Sequence, residues 1–319
     1  MKRMYAARGA ACGTLVMSIG ASYVTGCGSK FDLLIGRNTH VVAPQAGADN
    51  GGGSSATDDS TGAESGTGGL AGSADLPEAS PVNCGADAPP SLNNLVHRYS
   101  FDGTGSIAKD SAGGGDGELL SIGPGGVPMP GTGAVLDGNG QLVLDGDVGY
   151  VNLPNGLISG LTEVTIVTWA KWTGAAGFER IFDFGVGAGE DDTSNQGKSY
   201  LALIPTGLTG TRLQILAKGP TIGEVKVVST ADVKSMQHQL AVVFVSSSHT
   251  DLYSDGLQVA TGTVAFPLSA INDVNVWIGR SQWVNDHTFK GTIDEFRIYD
   301  RALTACEIEQ LNALGPNTP

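Results

Sequence analysis

The run from Phe289 to Leu303, FKGTIDEFRIYDRAL, constrains the fold more than any other part of the chain. From Asp294 it alternates with period two, so Asp294, Phe296 and Ile298 share one face and Glu295, Arg297 and Tyr299 the other. That pattern predicts a strand with Phe296 and Ile298 on the core side and Arg297 and Tyr299 on a solvated face. It also places a carboxylate, Asp294, facing inward, which is costly unless something pairs with it. Thr304 and Glu307 follow at the spacing of a capping box, and Ile308 and Leu311 then form an apolar stripe ending near Gly315-Pro316. The chain therefore closes with a core strand and one short amphipathic helix laid against it.

This run resembles the C-terminal signature of bacterial laminin-G-like domains, part of the concanavalin A-like lectin/glucanase superfamily. Gly291 to Leu303, then Glu307, Ile308 and Leu311, match the family's Gly-x-Ile-Asp-Glu-aliphatic-Arg-Ile-Tyr-x-Arg-Ala-Leu strand and Glu-Ile-x-x-Leu helix, with Phe296 in the aliphatic slot. Similar matches recur upstream: Tyr99-Ser100-Phe101-Asp102, the Asp110-Ser111-Ala112-Gly113 loop, the Leu252–Val259 hairpin turning on Asp255-Gly256, and Val276-Trp277-Ile278-Gly279. The resemblance covers roughly Leu92 to Leu314 and implies an all-β, two-sheet antiparallel jelly-roll sandwich with one C-terminal helix.

Composition points the same way. Glycine occurs 48 times and charged residues make up only 16% of the chain, so helix-forming content is poor. Val164 to Trp172 is nearly continuous in apolar and threonine residues, as expected of a strand covered on both faces. Further strands are predicted at 134–136, 150–153, 180–184, 200–204, 212–217, 224–228 and 239–245. A net charge of −14 argues against a nucleic-acid partner, whose phosphates need a basic surface.

The chain divides into three parts. Residues 1–26 read as an export signal, with Lys2, Arg3 and Arg8 ahead of an apolar run. Val24-Thr25-Gly26-Cys27 resembles a bacterial lipobox, which implies acylation at Cys27; the alternative is an ordinary signal peptide. Gly28 in place of aspartate implies an outer-membrane destination under the family rule, so the only membrane contact expected is the lipid anchor. Residues 27–91, dominated from about Ala43 by Gly, Ser, Ala, Thr and Asp, read as a flexible tether. Residues 92–315 hold the predicted sandwich.

Chain ends are neighbours in the family's fold, which implies a disulfide between Cys84 and Cys306, two free thiols being the alternative. Such a bridge would stabilise by on the order of 4–5 kcal/mol in the chain-entropy model.

Zinc-type His and Cys spacings are absent. One structural Ca²⁺ is the expected cofactor, with Asp102 and Asp294 as candidate ligands on strands that lie close together in laminin-G-like relatives. Otherwise Asp294 pairs with an arginine or with backbone amides. The superfamily's glucanases carry a Glu-x-Asp-x-x-Glu strand, which does not occur here, and no nucleophile elbow is present, so the domain is expected to be non-catalytic. The scaffold then implies binding of a carbohydrate or surface glycan, with a protein partner or a degenerate hydrolase as alternatives. Trp277, on the face opposite Val276 and Ile278, and the loop residues Trp283, Asn285, Asp286 and His287 are the candidate ligand-lining residues.

Overall fold

The computed structural model describes Cys84 and residues 94–191, 196–208 and 210–318. Residues 1–26, most of the tether and Cys27 lie outside these.

Among the described residues the strands are, in chain order, β1 (Leu95–Tyr99), β2 (Ile107–Ala108), β3 (Gly117–Ile122), β4 (Pro128–Met129), β5 (Ala134–Leu136) and β6 (Leu142–Asp145). Next come β7 (Gly149–Leu153), β8 (Glu163–Trp172), β9 (Phe182–Val186), β10 (Ser199–Ile204), β11 (Arg212–Lys218) and β12 (Val225–Asp232). The last are β13 (Gln237–Val245), β14 (His249–Ser254), β15 (Leu257–Thr263), β16 (Asn275–Ile278) and β17 (Lys290–Tyr299), followed by helix α1 (Ala305–Leu314).

They form two antiparallel sheets. The first runs β15-β14-β13-β8-β17-β6-β5, with β1 also paired to β17. The second runs β12-β11-β10-β9-β16-β7-β3-β2, with β4 on β3. Between the sheets lies one apolar layer, including Ile166, Val242, Ile293, Phe296 and Ile298 from the first and Phe182, Phe184, Leu203 and Val276 from the second. Phe296 meets Phe182 edge-on at 5.8 Å, so the closing strand locks the two sheets together.

Both expectations for Val164–Trp172 and for the Asp255-Gly256 turn hold. Val164 and Ile166 of β8 enter the central layer while Val167 and Trp169 enter a second cluster under α1, which is why the run has no polar face. Asp255 and Gly256 take φ of 51° and 83°, the pair of positive values a two-residue hairpin turn demands.

The face assigned to water on β17 needs correction. Glu295, Arg297 and Tyr299 do point away from the central layer, but they are 0%, 2% and 1% exposed. Ile308 and Leu311 of α1 cover Tyr299, Trp169 and Tyr253, and the Arg297 guanidinium is held by Glu295 and by the carbonyls of Pro316 and Thr318. The capping box is present, with the Thr304 side chain accepting from the Glu307 amide and the Glu307 carboxylate from the Thr304 amide.

Asp294 also sits differently from the alternation. A β-bulge falls between Ile293 and Glu295 in the β17–β8 ladder, so Ile293 rather than Asp294 precedes Phe296 in the core. At this point β17 exchanges one neighbour for another: residues up to Ile293 pair with β6, and residues from Phe296 pair with β1. The extra residue lets the strand serve both partners and swings the Asp294 carboxylate out of the apolar layer.

Cys84 and Cys306 form a disulfide, with Cα atoms 5.2 Å apart across a sequence separation of 222.

Candidate functional site

The outer face of the second sheet is where polar and aromatic side chains gather. Alternation along β9, β10 and β16 turns Asp183, Tyr200, Ala202 and Trp277 away from the central layer. Loops then roof this face. Asn275 bonds the Gly189 carbonyl and the Asp191 amide on one side, and the 281–288 loop folds over Asp183 on the other, where the Gln282 amide donates to its carboxylate.

Arg180, just before β9, organises one side of the site. Its Nε donates to Asp183 at 3.1 Å, its Nη2 to Asp286 at 2.9 Å and its Nη1 to the Phe178 carbonyl at 2.7 Å. The guanidinium carbon lies 5.9 Å from the centre of the Phe178 ring and 5.3 Å from that of Trp283, so two aromatics flank one cation. Phe178 holds φ of 61°, a left-handed conformation that costs a bulky residue energy and that its carbonyl bond to Arg180 and its amide bond to the Thr206 carbonyl help to maintain. Burial pushes the Asp183 carboxyl up to about 6, against the opposing pull of Arg180 and the Gln282 amide.

Trp283 packs edge-on against Tyr200, ring centres 4.8 Å apart. The Tyr200 hydroxyl donates to Glu224 at 2.6 Å, and Lys226 pairs with the same carboxylate. Between these groups opens a cleft of about 200 Å³ lined by Phe178, Arg180, Leu216, Glu224, Lys226, Trp283 and Asp286. An aromatic wall, two carboxylates, two cations and a tyrosine-buttressed floor can hold a polar ring by stacking and by hydrogen bonds to hydroxyls.

Of the residues singled out in the sequence, this site gathers Trp283 and Asp286. Asn285 and His287 are exposed in the same loop but do not line the cleft. Trp277 requires a correction. It lies on the outer face, but it is 0% exposed beneath the loops, edge-on to Tyr150 at 6.1 Å with its Nε1 donating to Asn152, so it cannot stack on a ligand. Phe178, Arg180, Tyr200, Glu224 and Lys226 were not foreseen. The signal available was Asp183 set between Phe182 and Phe184: a carboxylate on a strand among aromatics requires a buried cation, and Arg180 is the nearest in sequence.

Asp102 and Asp294 lie at the β17 bulge, near the Asp137–Gln141 turn. Burial raises Asp294, weak bonds from Gln141 (3.4 Å) and Gln237 (3.5 Å) oppose it, and the charges of Asp102 and Asp137 add to the rise. Asp294 Oδ1 is buried without a hydrogen bond. A Cβ built on Gly140 would lie 3.2 Å from Asp102 Oδ1 and 3.9 Å from both the Ser100 carbonyl and Asn317 Oδ1. These donors are all hard oxygens, the kind Ca²⁺ takes. Among the described residues no group of three or more His, Cys, Asp or Glu side chains is close enough to hold a metal, so carbonyl and amide oxygens would have to complete a shell.

A wider groove of about 530 Å³ crosses the outer face of the first sheet, lined by Gln141, Val143, Lys171, Gln237, Lys290 and Thr292 among others. No aromatic side chain lines it, so it offers a sugar no stacking surface.

Two facing antiparallel sheets with a loop-roofed outer face define a lectin-like sandwich. The profile of the laminin-G group Laminin_G_3, described as concanavalin A-like lectin/glucanases superfamily, matches residues 145–309, just over half of the chain. The chain belongs to the concanavalin A-like lectin/glucanase superfamily. No curated protein matches it. Among solved structures, domain 4 of AbnA, a GH43 extracellular arabinanase from Geobacillus stearothermophilus in complex with arabinotriose, aligns at TM-score 0.55 and 21% identity, over 68% of this chain and 97% of that one. Trypanosoma rangeli sialidase with 2,3-difluorosialic acid aligns at TM-score 0.51 and 16% identity, over 74% of this chain and 35% of that one. At these identities the likeness shows the fold.

Proposed function

We propose that the domain is a non-catalytic carbohydrate-binding module of a lipid-anchored cell-envelope protein. The observation that carries this is the cleft in which Trp283 and Phe178 flank the buried Arg180 beside Glu224, Lys226 and Asp286. A sugar ring laid on Trp283 would meet carboxylates and cations at its rim. The arabinotriose-bound arabinanase domain, the same fold over nearly its whole length, supports the ligand class.

A binding role is also favoured by how the cleft's carboxylates are engaged. Asp286 is tied to Arg180 and Ser281, and Glu224 to Lys226 and Tyr200. Neither is set up as an unencumbered acid or base. The test is a glycan array with Trp283→Ala as control. Sugar hits weakened at least about tenfold, equivalent to 1.4 kcal/mol, support the reading; hits indifferent to Trp283 sink it, and turnover of a polysaccharide would make the domain an enzyme.

A protein partner is the second reading, drawn from Leu208 and Val284, which stand 83% and 58% exposed. Leu208 is in the loop whose Gly207 carbonyl meets Gly177, and Val284 is next to Trp283. Binding that is lost in Leu208→Ser but kept in Trp283→Ala would favour it.

One structural Ca²⁺ at Asp102 and Asp294 belongs to the same proposal, supported by the unpaired buried Oδ1 of Asp294. The ion would neutralise the mutual repulsion of Asp294, Asp102 and Asp137 and tie the segment after β1 to β17. A melting temperature higher in millimolar calcium than in chelator, with the gap closed in Asp294→Asn, is expected; equal values would remove the ion.

The lipid anchor rests on Cys27 and the outer-membrane destination on Gly28. A mature protein whose mass lacks an acyl adduct on Cys27 would refute the anchor, and fractionation with the inner membrane would refute the destination.

A further inference from the structure

Arg280 has no part in the cleft just described, and among the described residues it is the one buried guanidinium of this face that makes no ion pair. It is 2% exposed, it makes no ion pair, and its Nη1 is buried with no hydrogen bond. Its Nη2 donates to the Gly126 carbonyl at 2.7 Å, and its carbon sits 4.2 Å from the centre of the Trp277 ring and 4.7 Å from that of Tyr150. Two rings stabilise a cation in part, but a desolvated charge still calls for a counter-charge. An arginine keeps its proton even when buried, so neutralising itself is not an escape.

The surroundings repeat the same shortage. The Tyr150 hydroxyl and Thr288 Oγ1 are also buried without partners. Burial lowers the Arg280 pKa, and the neighbouring Tyr150 hydroxyl and the charge of Asp191 oppose it, yet Asp191 forms no ion pair with the guanidinium and the Tyr150 hydroxyl no well-formed hydrogen bond. A small cavity of about 30 Å³ opens here, lined by Arg280, Ser281, Thr288, Trp283, Val284 and Asp286 among others. Its volume is close to the share of one water in the liquid, so it admits one or two oxygen atoms and not a sugar ring. Trp283 and Asp286 line both this cavity and the 200 Å³ cleft, which makes them the partition between the two.

We propose that the Arg280 cavity is an anion subsite, taking one oxygen of a carboxylate or sulfate carried by the sugar that stacks on Trp283, so that the domain selects acidic over neutral glycans. This rests on the sugar-binding reading above. Arg280 Nη1 and the Thr288 hydroxyl donate to the anionic oxygen, and the charge held between Trp277 and Tyr150, which Asp191 offsets only without direct contact, gains a directly paired counter-ion when ligand arrives. The Asp286 carboxylate on the partition is already claimed by Arg180 and Ser281. A water in the cavity would meet the hydrogen-bonding shortage and leave the charge without a directly paired counter-ion.

The test measures binding by the full chain of matched oligosaccharides that differ only in a carboxylate or a sulfate, together with thermal shifts in inorganic sulfate. Acidic forms are expected to bind at least about tenfold tighter than neutral ones, with the advantage falling as salt rises. Arg280→Gln is expected to erase the preference, Arg280→Lys to keep part of it, and Thr288→Val, which leaves the charge in place, to reduce it. Equal affinity for neutral and acidic forms, both dependent on Trp283, overturns the anion subsite and leaves the sugar reading standing. Sulfate stabilisation that disappears in Arg280→Gln and weakens in Thr288→Val, with no sugar bound, upholds the anion site and overturns the sugar reading. If neither sugar nor sulfate acts, both fall.

Discussion

Asp183 shows how one buried carboxyl couples stability to pH. It is fully buried, tied to Arg180 and the Gln282 amide, and its folded-state value is raised to about 6 by burial. In the unfolded chain an aspartate titrates near 3.9. The folded form therefore holds the proton more tightly, and ionising Asp183 costs stability as pH rises from about 4, with the full cost reached above about 6. Wild-type protein is expected to gain on the order of 2–3 kcal/mol between pH 7 and pH 4 from this group, much of it by pH 5. Asp110 acts in the opposite sense: burial works to raise it, but the amides of Arg98, Gly113 and Gly115 and the His97 ring outweigh that and hold it down to about 2. Its contribution is present above about 4 and is lost as pH falls toward 2, outside the Asp183 window. Asp183→Asn removes the raised group, so denaturation at pH 7 and pH 5 should show a gain in wild type that the variant lacks. The same gain in both would refute the assignment.

At the scale of elements, the sequence made strands and their faces legible and left their coverings obscure. Alternation in Val276-Trp277-Ile278 correctly turned Trp277 away from the core, but which loop lands on it is decided by bonds between distant residues such as Asn275 and Gly189. The same holds for Arg297 and Tyr299, hidden by a helix whose stripe was readable though its landing place was not. Strict period two also failed at Asp294, because a bulge responds to the change of neighbour from β6 to β1 and leaves no local trace in the residue pattern. Strand β3, Gly117–Ile122, was not foreseen, since its Gly-rich approach reads as loop. The cleft depends on a similar long-range contact. A Cβ built on Gly197 would stand 2.8 Å from the Trp283 ring and 2.9 Å from Tyr200 Cδ1, closer than side-chain carbons approach. Gly197→Val should push Trp283 off Tyr200 and weaken ligand binding by about tenfold, or 1.4 kcal/mol, while the central layer, built from other residues, stays intact. A titration showing unchanged affinity would mean that the Trp283 pose does not matter.

Across the whole molecule, the first and last strands are held side by side in two ways. Noncovalently, β1 pairs with the second half of β17, and Arg98 on β1 reaches the buried Glu295, which also binds Arg297. Covalently, the Cys84–Cys306 disulfide ties the segment ahead of β1 to the first turn of α1. Cys84 falls in the stretch read as tether, ahead of the expected start of the sandwich at residue 92. Because the bridge spans nearly the entire sandwich, it restricts the unfolded chain more than a local bridge would, by on the order of 4–5 kcal/mol in the chain-entropy model. For a domain of this size each kcal/mol moves the melting temperature by roughly 2–4 °C. Replacing both cysteines, Cys84→Ser with Cys306→Ser, should therefore lower it by roughly 8–20 °C. A chain begun at Leu92, with Cys306→Ser to avoid a lone thiol, should lose the same amount, whereas one begun at Ala71 should lose nothing. The pairing of β1 with β17 is untouched in all three, so their circular dichroism at low temperature should coincide. If the double variant melts within about 2 °C of wild type, the noncovalent seam suffices and the bridge only records the proximity of the two strands.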